Sequence, residues 1–198
     1  MLLLLAQIAL ADSFLTSVDL PLPRGSVAPG AAGPCGPEVT KLANSADAFE
    51  HAMILGACHG YDPNPALVSQ VRKGTGPLHD LDLGWTLMYE ATYGGKSQKE
   101  GEAAIRAAMK ARASDPRVLL VSALVLAQED LFVKQGSWDA PTARTREIVK
   151  IVHTAAALGR SAPDADFQRG LNAAVDYLVM YAVFEELAGD RADLSGGD

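Results

Sequence analysis

From Pro37 onward the apolar residues of this chain recur at helical rather than strand spacing. Val39, Leu42, Ala46, Phe49 and Met53 fall at steps of three and four along one face, which predicts a helix from Pro37 that Gly60 ends. Asn64-Pro65 reads as an N-cap followed by proline at the first helical position, opening a short helix to about Arg72 that Gly74 closes. Asp80 or Asp82 is placed to cap a third helix through LGWTLMYEATY, which stops at Gly94-Gly95. Ser97 and Glu100 have capping-box spacing at the head of a fourth, which carries Lys110 and Arg112 in its last turn, where cations suit the helix dipole. Asp115-Pro116 opens a fifth, and its Val118 to Ala127 stretch is apolar on nearly every side, predicting a central position. Asp139-Ala140-Pro141 caps a sixth, ending at Gly159, and Ser161 to Asp164 open the last, with Gly170 as the place where it would break. No segment alternates apolar and polar residues long enough for a strand. The expectation is an all-α fold of about seven helices, arranged as stacked antiparallel hairpins or a compact bundle.

The pattern is different ahead of Pro37. Residues 12–36 lack a sustained period and are rich in Pro, Gly and Ala, as in an arm or linker, with SFLTSVDL suited to adding a strand or docking in a groove. The chain begins MLLLLAQIALADS, a short apolar run closed by Ala9-Leu10-Ala11, so residues 1–11 read as a signal peptide, although no Lys or Arg precedes the run. The run is too short for a membrane-spanning helix, which needs about 20 apolar residues. Residues 37–189 then form one helical domain and 190–198 a flexible acidic tail. These boundaries predict a periplasmic or secreted protein with no integral membrane span once the signal is removed, or a cytoplasmic one if the N-terminus is not a signal.

Composition narrows the partner. With 48% apolar and 21% charged residues the chain has material for a core, and a net charge of −7 with no basic stripe argues against nucleic acid.

Export would also decide the chemistry of the only two cysteines, Cys35 and Cys58, which are expected to pair. The bond would close a loop of 22 intervening residues, contributing about 3 kcal/mol through chain entropy. A straight helix from Pro37 to Cys58 would be about 30 Å long. Pairing therefore requires the Pro/Gly segment to fold back along the helix, or the helix to break near Asn44-Ser45.

Other residue types that carry chemistry also admit structural roles. His51, Cys58 and His59, at i, i+7 and i+8, make a soft-ligand set for zinc or copper, but His51 is two turns from the others and a site would need His79 or Asp62. A disulfide at Cys58 with His59 at a helix C-terminus explains the same residues, so no metal and no cofactor is expected. GGKS at 94–97 lacks the first glycine and the strand of a phosphate loop and reads as a turn. His153 lies in an apolar stretch and reads as a packing residue. Asp176 stands alone in an apolar helix, and Glu90 lies among Trp85, Tyr89 and Tyr93; a shared cavity would make them a carboxylate pair.

The segment WTLMYEATYGGKSQKEGEAAIRAAMKARASDP resembles a single tetratricopeptide or Sel1-like helix pair. The likeness rests on Trp85, Met88, Ala104, Ala111 and Asp115-Pro116, with a few residues inserted between the helices and Tyr89 where the family has glycine. It spans residues 83–116, and implies a concave helical surface for protein or peptide binding. The expected function is thus an exported, non-catalytic adaptor for a protein or peptide partner, with Trp85, Tyr89, Tyr93, Tyr177 and Tyr181 as candidate contacts. The alternative is a small-ligand or catalytic α-bundle with an apolar pocket lined by Glu90, Asp176 and His153.

Overall fold

The computed structural model describes residues 36–59, 64–92, 96–128, 143–162 and 164–179. Among them are eight helices and no strand: α1 (Gly36–Lys41), α2 (Ala48–His59), α3 (Pro65–Lys73), α4 (His79–Thr92), α5 (Gln98–Ala111), α6 (Pro116–Gln128), α7 (Ala143–Ser161) and α8 (Ala165–Val179). The all-α expectation holds. The signal segment, the arm, the Asp139–Pro141 cap and the acidic tail lie outside the described residues.

The first expected helix is two. Ser45 Oγ donates to Glu50 Oε2 at 2.6 Å and accepts from the Asp47 N–H at 3.2 Å, while Asp47 Oδ1 accepts from the Phe49 N–H at 2.9 Å. These short side chains offer the backbone local bonds that compete with a continuing helix, so the chain turns at 42–47 and restarts under an Asp47 cap. The remaining starts follow the sequence more closely. Asn64 Oδ1 accepts from the Leu67 N–H at 3.1 Å ahead of Pro65. Ser97 stands at the α5 N-cap but makes no capping bond with its side chain. Glu100 is drawn away to Arg72, which it meets in two hydrogen bonds of 2.5 and 2.6 Å, so the expected capping box does not form. Helix α8 continues through Gly170, which is buried.

The helices stack in two rows. In the first, α2 packs on α4, α4 on α6 and α6 on α8; α2 also reaches α6, so this row curls. The second row holds α3, which lies against α4, α5 between α4 and α6, and α7 between α6 and α8. Consecutive hairpins thus share a core centred on α4 and α6. The apolar stretch of α6 is central as expected, with Val118, Leu120, Ala123, Val125 and Leu126 buried; Leu81, Trp85, Leu87 and Met88 supply the α4 side. The α4–α5 hairpin closes backbone to backbone at Gly84, where a Cβ would stand 2.8 Å from the Ile105 nitrogen and 2.6 Å from its Cγ1.

Ion pairs lace the second row. Arg72–Glu100 joins α3 to α5, and Arg106–Glu147 at 2.6 Å with Arg144–Glu102 at 2.8 Å joins α5 to α7. Arg106 holds the Glu147 carboxyl below the usual carboxylate range. Burial works to raise Glu102, but hydrogen bonds from Arg106 and Arg144 outweigh it and lower that group too.

The first row is fastened differently. Asp47, Asp115 and Asp164 cap α2, α6 and α8 with one carboxylate oxygen each, accepting at 2.9–3.3 Å from the backbone N–H two residues on and, for Asp115 and Asp164, also from that three residues on. Arg117, in the first turn of α6, donates to the other oxygens of Asp47, at 2.6 Å, and Asp164. Its guanidinium lies 5.0 Å over the Phe49 ring, which stacks on Phe167 at 6.3 Å. One arginine therefore gathers three helix N-termini, with every carboxylate it meets already orienting a helix.

Candidate functional site

A cleft of about 300 Å³ opens where the end of α1, the end of α3 and the first turn of α4 meet. Val39, Leu42, Ala43 and Val71 give it apolar walls; Gln70, Lys73, Thr75, His79 and Asp82 are its principal polar lining residues. The α3–α4 turn is pressed onto the α1–α2 turn at Gly76. Its φ is +157°, and a Cβ there would fall 2.8 Å from the Leu42 carbonyl oxygen, so only glycine fits. The break after α1, which sequence pattern placed inside a longer helix, is what creates this wall.

Two polar groups at the cleft stand out. Asp82 is 5% exposed, and its Oδ1 lies 2.6 Å from Nδ1 of the fully buried His51. His51 Nε2 lies 3.1 Å from the Ser45 carbonyl oxygen. A carbonyl only accepts, so Nε2 carries a proton, and the short Nδ1–Oδ1 contact must hold a second. Whether that second proton sits on nitrogen or oxygen, the pair is neutral overall. Burial raises the Asp82 carboxyl above its ordinary value, with the hydrogen bond and charge of His51 pulling against it. Asp82 is accordingly not the helix cap expected of it but half of a compensated buried pair. His51, with both ring nitrogens engaged, is not free to ligate a metal. Among the described residues no group of three or more His, Cys, Asp or Glu is arranged to hold a metal ion.

The second group is Gln70. The residue lines the cleft, but its Oε1 is enclosed and accepts no hydrogen bond from the described residues. Buried amide oxygens without a donor are uncommon because the lost hydration costs about 1–3 kcal/mol.

The other candidate residues lie elsewhere. Trp85 is 1% exposed and stacks on Tyr89, itself buried, at 3.9 Å between ring centroids. Tyr177 is buried as well, so these three rings belong to the core and do not form an exposed contact surface. Tyr93 and Tyr181 lie outside the described residues, as do Cys35 and the His59 side chain. Glu90 is buried and its Oε1 accepts from the Asn64 N–H at 2.5 Å, fastening the start of α3 to the end of α4. Asn64 Nδ2 in turn donates to the Cys58 carbonyl at 3.0 Å. Asp176 is exposed on α8 and His153 half-buried on α7; the cleft is lined by none of Glu90, Asp176 and His153. Cys58 is 3% exposed and is not a free thiol.

Sequence reading did not find Gln70 or the His51–Asp82 pair. The legible signal was a histidine on the same face as Ala48, Ala52 and Leu55, a place where a polar group needs a partner. Compared with protein-family models, curated proteins and solved structures, the chain has no match.

Proposed function

We propose that the protein is an exported, non-catalytic adaptor that binds a protein or peptide partner, with the α1/α3/α4 cleft as its contact site. The observation that carries this reading is the cleft itself, an open trough walled by Val39, Leu42, Ala43 and Val71. A partner that seats an apolar residue there removes apolar surface of both molecules from water. The two-row stacking of hairpins supports the tetratricopeptide or Sel1-like reading of residues 83–116, whose helices are α4 and α5. Export is supported by the engaged state of Cys58. We assign its bond to Cys35, the only other cysteine. The break at 42–47 lets α1 turn back on α2, against which it packs, removing the geometric objection that a straight helix would raise.

Two measurements test the reading. Intact mass of the exported protein, with and without reduction, is expected to show loss of residues 1–11 and thiols that alkylate only after reduction; a full-length chain with two free thiols overturns export and the bridge. A photo-crosslinking residue placed at Thr75, beside the cleft, is expected to trap a partner that the same residue at the exposed Lys150 of α7 does not. Equal trapping at both positions, or none at either, overturns the cleft as the contact site.

A further inference from the structure

We infer that the outer face of α5 and α7 is a docking surface for an anionic lipid bilayer, met through exposed lysines of both helices. This surface is separate from the cleft and does not depend on the adaptor reading.

The charge of the molecule is divided between its two rows. Helices α3, α5 and α7 carry nine Lys or Arg against Glu100, Glu102 and Glu147, a net +6. Helices α2, α4, α6 and α8, with the caps Asp47, Asp115 and Asp164, carry nine acids against Arg117 and Arg169, a net −7. The sequence shows no basic stripe because these cations are shared among three helices with first-row helices between them. The first row closes on itself, α2 reaching α6 and Phe49 stacking on Phe167, so the basic row stands on its outside.

The glutamates of the basic row are engaged within it. Glu100 meets Arg72, while Glu102 and Glu147 join α5 to α7 through Arg106 and Arg144. Lys99 and Lys110 of α5 and Lys150 of α7 are exposed and meet no acid among the described residues. Lys110 lies four residues beyond Arg106 and Lys150 three beyond Glu147, so that ion pair sets both lysines one turn further along neighbouring helices. Lys99 stands about 16 Å back along α5 from Lys110.

What lies between the cations narrows the partner. No exposed position on α5 or α7 carries an apolar residue larger than alanine; Ala103, Ala107, Ala111, Ala143 and Ala157 are the apolar ones. A protein partner takes most of its binding energy from large aromatic and apolar anchors, and this face offers none. The arginine forks of Arg106 and Arg144, which suit fixed phosphate geometry, are held by glutamates, and the cations beside them are lysines, point charges on flexible stems. A fluid bilayer brings a headgroup to each lysine wherever it stands, whereas a duplex presents phosphates only at set intervals. The acidic row lies one helix spacing further off, about 10 Å, more than the Debye length of about 8 Å at physiological salt. A plane touching α5 and α7 therefore senses chiefly the basic row, although the whole chain is acidic.

The test uses the full mature chain and co-sedimentation with phosphatidylcholine vesicles, with or without a third of the lipid as phosphatidylglycerol. Saturable binding is expected to the anionic vesicles at about 0.05 M salt, falling by about tenfold or more at about 0.5 M, with none to the neutral ones. Lys110→Gln should weaken binding about fivefold, and the triple variant Lys99→Gln/Lys110→Gln/Lys150→Gln about a hundredfold, with helical circular dichroism unchanged. Lys41→Gln removes the same charge from an exposed position on α1 and should change binding by less than about twofold. Equal binding to both vesicle types, or none to either, overturns the inference. So does a triple variant that binds as well as the parent, or a Lys41→Gln loss equal to that of Lys110→Gln, which would make net charge and not this face the determinant. Tighter binding to duplex DNA or to polyglutamate than to the anionic vesicles, at equal concentration of negative charge, would assign the face to a polyanion or an acidic peptide and overturn the bilayer.

Discussion

Two charged arrangements stand at this molecule's helix starts, one half-exposed and one buried, and they are built on opposite plans. Around Arg117 every acceptor is used twice, once by a helix N-terminus and once by the guanidinium, and the aspartates remain partly hydrated. At the cleft, Asp82 and His51 are almost fully buried and compensate chiefly each other, while the enclosed Gln70 Oε1 accepts from no described residue. The first plan uses up its polar capacity in holding helices together. The second leaves an enclosed acceptor unused, which costs stability instead of adding to it.

The sharpest way to break the comparison is to remove one partner from each. His51→Ala strands Asp82 in an apolar surround and is expected to destabilise by about 3–5 kcal/mol, read as a lower urea midpoint. Arg117→Ala leaves two aspartates that water can reach and should cost less, about 1–2 kcal/mol, the Phe49 stacking included. A larger loss from Arg117→Ala than from His51→Ala would show that the clamp, not the pair, is the dielectrically isolated one.

Acid separates the two further. Asp164 is held below its ordinary value chiefly by the Arg117 hydrogen bond, against burial, with help from the Phe167 and Asp166 N–H groups. Its contribution is present above the unfolded aspartate value and disappears as pH falls through the lowered folded value. The stability gap between wild type and Arg117→Ala should accordingly shrink as pH drops below the usual carboxylate range. Asp82 runs the other way: its folded value is raised, so the stability its protonated form confers is complete below the unfolded value and is lost as pH rises through the folded one. Carboxyl-carbon NMR titration should place Asp164 below free aspartate and Asp82 above it; the reverse order would undo the contrast.

Smaller effects test what is left unpaired. Gln70→Leu should stabilise the empty protein by about 1 kcal/mol, since a buried acceptor without a donor is removed. Thr86 and Ser122 are fully buried with hydroxyls that no described residue satisfies. Thr86→Val should gain about 0.5 kcal/mol, and Ser122→Ala should be near neutral because a small void offsets the relief. Marked destabilisation in either would reveal an internal water that the hydroxyl holds.

Helix starts were legible where a single residue decides them. Asn64-Pro65 and Asp115-Pro116 carry their caps in the sequence, and the all-round apolar face of α6 announced its central place. What was hidden required knowing who stands opposite. Glu100 has capping-box spacing, yet Arg72, 28 residues away in sequence, claims it. Phe49, Arg117 and Phe167 each lie two or three residues beyond an aspartate, a weak recurrence that acquires meaning only when three helices converge. The cleft depends on a helix break set by Ser45 and Asp47 and on the pressure of Gly76 against Leu42. Periodicity, which averages over turns, passes over both.

Arg117 also alters how the whole stack should come apart. A row of hairpins that touch only their neighbours can open from either end, one unit at a time. Here a residue from the third helix of the row's sequence order grips the starts of both the first and the last, so α2 and α8 share one polar fastening beside the direct stack of Phe49 on Phe167. Peeling away either terminal helix breaks the same fastening. With Arg117 in place, amide exchange in α2 and α8 should approach the rate set by global unfolding; with alanine there, the ends should exchange first and independently of one another.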